Sequence, residues 1–276
     1  MSRAPAPRVI FNADDFGRSR SINTAVIRAH REGVLTTASL MVNGEAYEEA
    51  VELARAHPTL GVGLHLTLVM GRATLPPAEI SGLVNEQGQF ADNPVAAGLR
   101  GFFRRSLRPQ FEAEIGAQIA KFRATGLPMD HLNGHLNFHL HPMIFDVLMR
   151  RQADWQLPAV RLTRDPFWLN ARLADGQWFY RATHAFIYLL LSAWSRGRLR
   201  ARGIRFVPHV FGLLQNARVD EDYLLKLLPA LPAGDVEIYA HPNLDEFRHE
   251  LDALVSPRVI ELTKKLGIRR CRYQDL

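Results

Sequence analysis

Four separated segments of the chain carry side chains of the kinds that hold metals and move protons. They are Asp14 and Asp15 in NADDFG, His65 in GLHL, the histidines at 131, 135, 139 and 141 in DHLNGHLNFHLHP, and His241 in EIYAHPN. One carboxylate with two imidazoles leaves positions free on a divalent cation, which a catalytic metal needs in order to hold a water and polarise a carbonyl. We assign Asp15, His65 and His135 to that metal. A second carboxylate beside the first allows a division of labour, so Asp14 is read as the base. His241, far away in sequence, can protonate a leaving amine, and amide hydrolysis needs such an acid because an unprotonated amine leaves a tetrahedral intermediate poorly. Asn43 and Arg161 are assigned to substrate contact, and His139 to the substrate or to a supporting place behind the metal ligands. The ligand types suit zinc; magnesium, manganese, nickel and cobalt stay open.

Taken singly, each segment has an ordinary explanation. An Asp-Asp pair caps helices, and a histidine between Leu64 and Leu66 packs as a hydrogen-bonded core residue. His30 and His57 fall in expected helices and are read as packed or solvated, His131 and His141 as structural. It is the joint occurrence of the four segments at the ends of expected strands that carries the argument.

Those ends must converge, and the alternation of strands and helices shows how. Val9 to Phe11 is a short apolar run opening onto Asn12 to Asp15, followed by a helix that we expect to start at a Ser21 cap and stop at a left-handed Gly33. Further strands are expected at Leu35 to Val42, Val62 to Leu68, Asp130 to Asn133, Val160 to Leu162, Ile204 to Val207 and Val236 to Ala240. Helices are expected near 45–57, 111–125, after Pro142, at 183–201 and at 223–228, with a last helix-strand pair behind them. This pattern predicts one α/β domain over residues 1–276, a distorted barrel of about seven or eight parallel strands. An open doubly wound sheet is the alternative. The stretch from Gly71 to Gly101 has no periodicity and is too long for an ordinary connection, so it reads as a lid, a substrate loop or a surface insertion.

The 276 residues are 47% hydrophobic and 22% charged, within the range of globular domains, and long enough for a large core. Cys271 is the single cysteine, which excludes an intramolecular disulfide and a thiolate zinc cluster. The opening MSRAPAPRVIF lacks the apolar run of a signal peptide and reads as a tail entering a strand, so a cytoplasmic location is the default expectation. A net charge of +6 favours an anionic partner. The basic residues cluster at 104–108 and 195–205, away from the Asp and His groups, so the charge concerns docking rather than chemistry.

With these residues in place, the chain resembles the YdjC/ChbG family of carbohydrate deacetylases over nearly its whole length. Asn12 to Gly17 matches the family's opening NADDFG, and Met41 to Gly44 and Gly63 to Leu66 match its next landmarks. His131 to Pro142 and Ala240 to Pro242 resemble its histidine-rich and C-terminal motifs. Asn133-Gly134 stands where Asp-Ser is usual, and Asn137 where a histidine is common. The resemblance implies a distorted β/α barrel, a metal on Asp15, His65 and His135, Asp14 as base and His241 as acid. GHLNFHLHP, PHVFGLLQ and EIYAHPN are most similar to the hopanoid-biosynthesis branch of the family, which implies an N-acetylglucosaminyl lipid as substrate.

One feature independent of that resemblance fits a lipid. Trp178 to Tyr180 and the apolar run 185–194 lead directly into Arg196, Arg198, Arg200, Arg202 and Arg205, the make-up of a helix lying at a membrane surface. That would put the protein peripherally on the inner face of the membrane. The alternative is an outer barrel helix with solvated arginines. The run is too short to span a bilayer, which takes about 20 residues. No recognised nucleic-acid motif accompanies the arginines, which argues against nucleic acid as partner. Other functions considered are deacetylation of soluble N-acetyl oligosaccharides such as chito-oligosaccharides, isomerase or phosphoesterase chemistry on the same barrel, and non-catalytic sugar or lipid binding.

Overall fold

The computed structural model describes residues 7–276, and the tail expected at the N-terminus lies outside them. Seven strands form one sheet: β1 (Arg8–Phe16), β2 (Thr37–Leu40), β3 (Gly61–Leu66), β4 (Met129–Gly134), β5 (His209–Phe211), β6 (Asp235–Ala240) and β7 (Arg269–Arg270). Every pairing is parallel, in the order β4-β3-β2-β1-β6-β5, with the short β7 beside the start of β1. Strands covered on both faces carry continuous apolar runs, and Val9, Ile10 and Phe11 are fully buried. Helices between the strands pack on the outside of the curl, so that all the strand ends open on one rim.

Beyond β4 the curl continues in fragments. Leu132 bridges to Val160, Ala159 bridges to Arg205, and the Val210 N–H donates to the Arg164 carbonyl at 3.1 Å, which leads back to β5. The full strands expected at Val160 to Leu162 and Ile204 to Val207 are therefore single-residue bridges. Pro158 and Pro208 flank these segments and cannot donate to a ladder. The sheet is a distorted, barrel-like curl in which the fifth and sixth positions are only sketched.

The first helix, Arg20–Glu32, is capped by Ser19, whose Oγ accepts from the Ile22 N–H at 3.3 Å. Ser21 instead donates to Asp245 at 2.5 Å, tying the loop after β6 to this helix. Gly33 is not left-handed, with φ −122°. It is needed for space, because a Cβ there would lie 2.2 Å from the Leu254 carbonyl oxygen.

Residues 71–101 are ordered in two parts. Arg72 and Gln89, and Val84 and Phe90, pair as antiparallel bridges, and Glu114 accepts from the Thr74 and Leu75 N–H groups at 2.8 and 3.0 Å. Then comes a helix, Pro94–Phe103, with an Asn93 cap and Pro at its start. The long helix starts earlier than expected and spans Trp178–Ala201; its buried residues are Arg181, Ser192, Ser195 and Leu199. Its C-terminal part packs as an outer barrel helix through Ser192, Ser195 and Leu199, and its start is tied to the 213–214 segment by Tyr180 and Arg181. Phe179, beside the first of these contacts, and Phe186, Ile187, Leu189 and Leu190, between them, are exposed. Among the described residues no helix is long and apolar enough to cross a membrane.

Candidate active site

Two neighbouring carboxylates on a regular strand point to opposite faces of the sheet. At the end of β1 they do not have to, because the register with β2 shifts between Ala13 and Phe16 and Asp15 takes φ +65°. A left-handed non-glycine residue in a strand bulge stores strain and re-aims side chains, and such outliers collect at functional sites. Here it leaves both Asp14 and Asp15 on the wall of one cavity while each is nearly fully buried.

Asp15 meets the two expected imidazoles. Its Oδ1 lies 3.2 Å from His65 Nε2 and 3.0 Å from His135 Nδ1, and one ligand atom from each of the three residues lies within 4.8 Å of the others. His65 is aimed from behind, its Nδ1–H donating to Asn133 Oδ1 at 2.7 Å, which leaves the Nε2 lone pair facing the site. Gly63, two residues earlier, makes room for His131, since a Cβ would sit 2.5 Å from that ring. His135 follows β4 directly, where Leu136 and Asn137 turn the chain with φ +53° and +56°. Burial alone would raise the Asp15 carboxyl, but His135 and His65 hold it well below the usual carboxylate range, so it stays ionised. An anionic oxygen with two imidazole nitrogens, buried and convergent, fits a divalent cation.

Asp14 is held differently. Arg161 grips it with two bonds, Nη1 to Oδ2 at 2.7 Å and Nη2 to Oδ1 at 2.9 Å, while the Asn12 and Asn133 amides donate to Oδ1 at 2.8 and 3.2 Å. Burial opposes ionisation, yet Arg161 and then His65 keep this carboxyl far below its ordinary value. Behind Arg161 stands Glu237 of β6, bonded to Nε and Nη2 at 3.0 and 2.7 Å and itself accepting from the Tyr273 hydroxyl at 2.5 Å. The guanidinium also lies over the Tyr239 ring at 4.3 Å.

Arg161 is fully buried and bonded on all sides, so the expectation that it touches substrate is corrected: it positions Asp14. His139 is also fully buried; its Nε2–H donates to the Arg161 carbonyl at 2.9 Å, and burial drives it down to about 3, which keeps it neutral. It holds the Arg161 backbone and does not line the cavity. Asn43 has both ends of its amide engaged, donating to the Arg72 carbonyl at 2.9 Å and accepting from Thr74 at 2.6 Å. It tethers the 71–93 segment, so here too substrate contact gives way to positioning.

His241 lines the cavity with its side chain 29% exposed. Burial works against its proton, but Glu250 at 3.7 Å outweighs that, helped by Asp14 and Asp15, and the imidazole is pushed up to about 9. Glu250 is completely buried, with Oε1 accepting from the Val219 N–H at 2.7 Å and Oε2 from the His241 N–H at 2.5 Å. Sequence reasoning missed Glu250, Glu237, Asn12 and Asn133. Polar residues in the middle of apolar strands were a usable sign for Asn12 and Glu237. Nothing marked Glu250 except a charge on the inner face of a helix.

The cavity holds about 690 Å³ and is two-natured. Asp14, Asp15, His135, Tyr239 and His241 form one end; Val95, Leu99, Leu136, Ile187, Tyr188 and Leu191 form the other. Helix Trp178–Ala201 and helix Pro94–Phe103 are the walls of that apolar end.

The chain is 38% identical over 154 residues to a carbohydrate deacetylase of Brevibacillus brevis and 40% identical over 150 residues to one of Geobacillus stearothermophilus. These matches cover 55% and 54% of this chain and 58% and 57% of the relatives, so the chain spans little more than half the length of the curated proteins it matches. Among solved structures, a protein of Enterococcus faecalis V583 described provisionally as a cellobiose-phosphate cleavage protein superposes with a TM-score of 0.72 at 24% identity, over 98% of this chain and 99% of that one. A lactam utilization protein of Thermus thermophilus superposes with a TM-score of 0.52 at 15% identity, over 95% and 98%. Both likenesses concern the fold. The model of the family described as YdjC-like protein matches residues 8–265, and the chain belongs to that family.

Proposed function

We propose that the chain is a cation-dependent hydrolase that removes the N-acetyl group from an amino sugar carried on a lipid. The observation that supports this most is the cavity itself, in which an Asp-His-His cluster, a gripped carboxylate and a protonated imidazole open onto an apolar corridor. The relatives named carbohydrate deacetylase support the sugar amide as the bond attacked.

Asp15, His65 and His135 would hold the cation, which would supply Lewis acidity toward water and the acetyl carbonyl. Asp14 accepts the proton of the attacking water. Its double bond to Arg161 keeps it ionised and fixed, so it acts as a weak base in the right place rather than a strong one. His241, kept protonated by Glu250, gives its proton to the departing amine. Tyr239 and the buried network behind it exclude water from the reacting end. The sugar sits between Asp14 and His241, and the lipid runs along Leu99, Ile187, Tyr188 and Leu191. An N-acetylglucosaminyl hopanoid, converted to the glucosaminyl lipid, is the candidate that the sequence resemblance singles out.

Soluble N-acetyl oligosaccharides are the second reading, supported by the relatives' names, which mention carbohydrate and no lipid. The test is acetate release from an N-acetylglucosaminyl lipid and from N-acetyl chito-oligosaccharide, with chelated protein and with cation restored. Release that depends on the cation and favours the lipid supports the proposal. A preference for the soluble sugar removes the lipid from it, and no release from either leaves a sugar- or lipid-binding protein.

A further inference from the structure

Helix Trp178–Ala201 separates two cavities. Tyr180, His184, Ile187, Tyr188 and Leu191 face the one already described, while Ala182, Ala185, Phe186 and Leu189, spaced as neighbours on another face of the helix, line a second of about 430 Å³. The second cavity has an apolar side, where Trp168, Phe186 and Leu189 are 77%, 63% and 47% exposed, and a basic end formed by Arg164 and His209.

That basic end is not neutralised. His209 Nδ1 and Arg196 Nε are buried without hydrogen-bond partners, and the charges felt by both groups are those of other arginines. Burial, and then Arg164 with Arg200, lower the Arg196 guanidinium, while burial, and then Arg164 with Arg196, lower the His209 imidazole. Asp165 lines the same cavity, but its carboxylate accepts from the Gly212 and Leu214 N–H groups at 3.2 and 2.9 Å and from the Asn170 amide. Burial also pushes it up to about 7, and its hydrogen bonds aim it at the backbone rather than at the arginines. The Arg196 Nε–H is thus a buried donor without a partner beside Arg164 and Arg200, a position that an anion would satisfy.

The surroundings decide which anion. A free sugar phosphate or inorganic phosphate gains nothing from Trp168, Phe186 and Leu189, whereas an acyl chain attached to the anion covers them. The exposed large apolar side chains of the described residues are confined to 70, 95–103, 136, 168 and 178–190, all on the elements around the two cavity mouths. The exposed Arg100, Arg104 and Arg105 stand beside Phe102 and Phe103 in that same surface. Exposed apolar side chains with arginines beside them match an anionic bilayer.

We propose that the cavity lined by Arg164 and His209, with Arg196 close enough to act on both, binds the headgroup of an anionic phospholipid and makes this face the membrane-docking face of the protein. The inference does not need the catalytic reading, since it concerns a separate cavity and vesicles that contain no amino sugar.

The test is sedimentation of the full chain with phosphatidylcholine vesicles, with and without phosphatidylglycerol. We expect binding only when phosphatidylglycerol is present, and a loss on the order of 20-fold in partition for the Arg164→Gln/Arg196→Gln double variant, two basic side chains being removed from the surface. An Arg31→Gln/Arg123→Gln variant, with the same change in net charge far from the cavity, should partition as the unaltered chain does. Thermal melting checks that each variant is folded. Equal partition of the two double variants, or equal binding to both kinds of vesicle, overturns the proposal. So does calorimetric binding of inorganic phosphate by a chain that ignores the vesicles, which would make this a free-anion site.

Discussion

The two ends of the main cavity are built on opposite rules. At the reacting end charged groups are buried and almost all of them are paired: Asp14 with Arg161, Arg161 with Glu237, Glu237 with Tyr273, His241 with Glu250. At the other end large apolar side chains stand in water, with Leu99 55% exposed and Ile187 49%. The first arrangement is costly unless each member keeps its partner, and it is how groups are fixed in place and held ionised. The second is costly unless something covers it. The difference teaches that the polar end is held in place by partners within the chain, while the apolar end has exposed side chains that nothing among the described residues covers.

Changes at the reacting end should have the largest effects. Replacing Asp15 or His65 by Ala should abolish cation binding, measured by equilibrium dialysis against zinc, and take cation-dependent turnover with it. A protein that still bound the cation with unchanged affinity would show that this trio is not the ligand set. Arg161→Met should lower the unfolding free energy by about 3–5 kcal/mol, because it leaves two buried carboxylates without their cationic partner. Urea denaturation checks this, and a loss below about 1 kcal/mol would mean that the network tolerates the charge after all.

The His241–Glu250 pair should show itself in pH. With the imidazole pushed up to about 9, His241 carries its proton at neutral pH, and turnover should decline as the pH climbs toward that value, earlier if the bound cation repels the proton. Glu250→Gln removes the anion responsible, so the alkaline limb of kcat should move to lower pH, with roughly a tenfold loss at about pH 8. An unmoved limb would take the role of acid away from His241. The same pair has a stability signature. Its raised pKa contributes stability in full below about 6.5, and this is lost as the pH rises through about 9, a slope that the variant should lack.

The corridor should respond most weakly and only with the right substrate. Tyr188 and Leu191 touch no reacting group, so Leu191→Ser should raise KM for a lipid-linked amino sugar about fivefold, as expected from lost apolar contact, and leave soluble sugar unchanged. Equal effects on both would point to a general disturbance of the cavity wall.

Much of this was legible in the amino-acid order alone. Alternating strands and helices predicted a distorted parallel barrel, and β1, β4 and β6 carry the residues read as chemical at or just after their expected ends. Strand β3 stops at Leu66, two residues short of the expected Leu68, which brings His65 to its end as well. What the sequence could not show is geometry that depends on a single dihedral or a distant partner. Asp14 and Asp15 read as a pair, but only the bulge and the left-handed Asp15 explain how adjacent carboxylates serve one site. Arg161 was legible as a functional arginine and assigned to the wrong contact, because a charge inside an apolar run implies a partner without saying which. Asn133 departs from the family's usual Asp, and the structure gives that departure a use: its amide can accept from His65 and donate to Asp14 at once, which a carboxylate cannot. The corridor was half legible. An apolar run followed by arginines is the same string whether the helix packs on a sheet or faces a lipid, and the structure adds that Phe179, Phe186, Ile187, Leu189 and Leu190 of Trp178–Ala201 are exposed while Ser192, Ser195 and Leu199 are buried.

The central claim is that Asp14 moves a proton and Asp15 does not. Asp14→Asn tests it most directly, with acetate release from N-acetylglucosaminyl substrate and bound cation measured on the same preparation. The account predicts turnover lowered by roughly 10³-fold or more with cation content unchanged. Turnover that survived in the Asn variant, with the cation still bound, would contradict it.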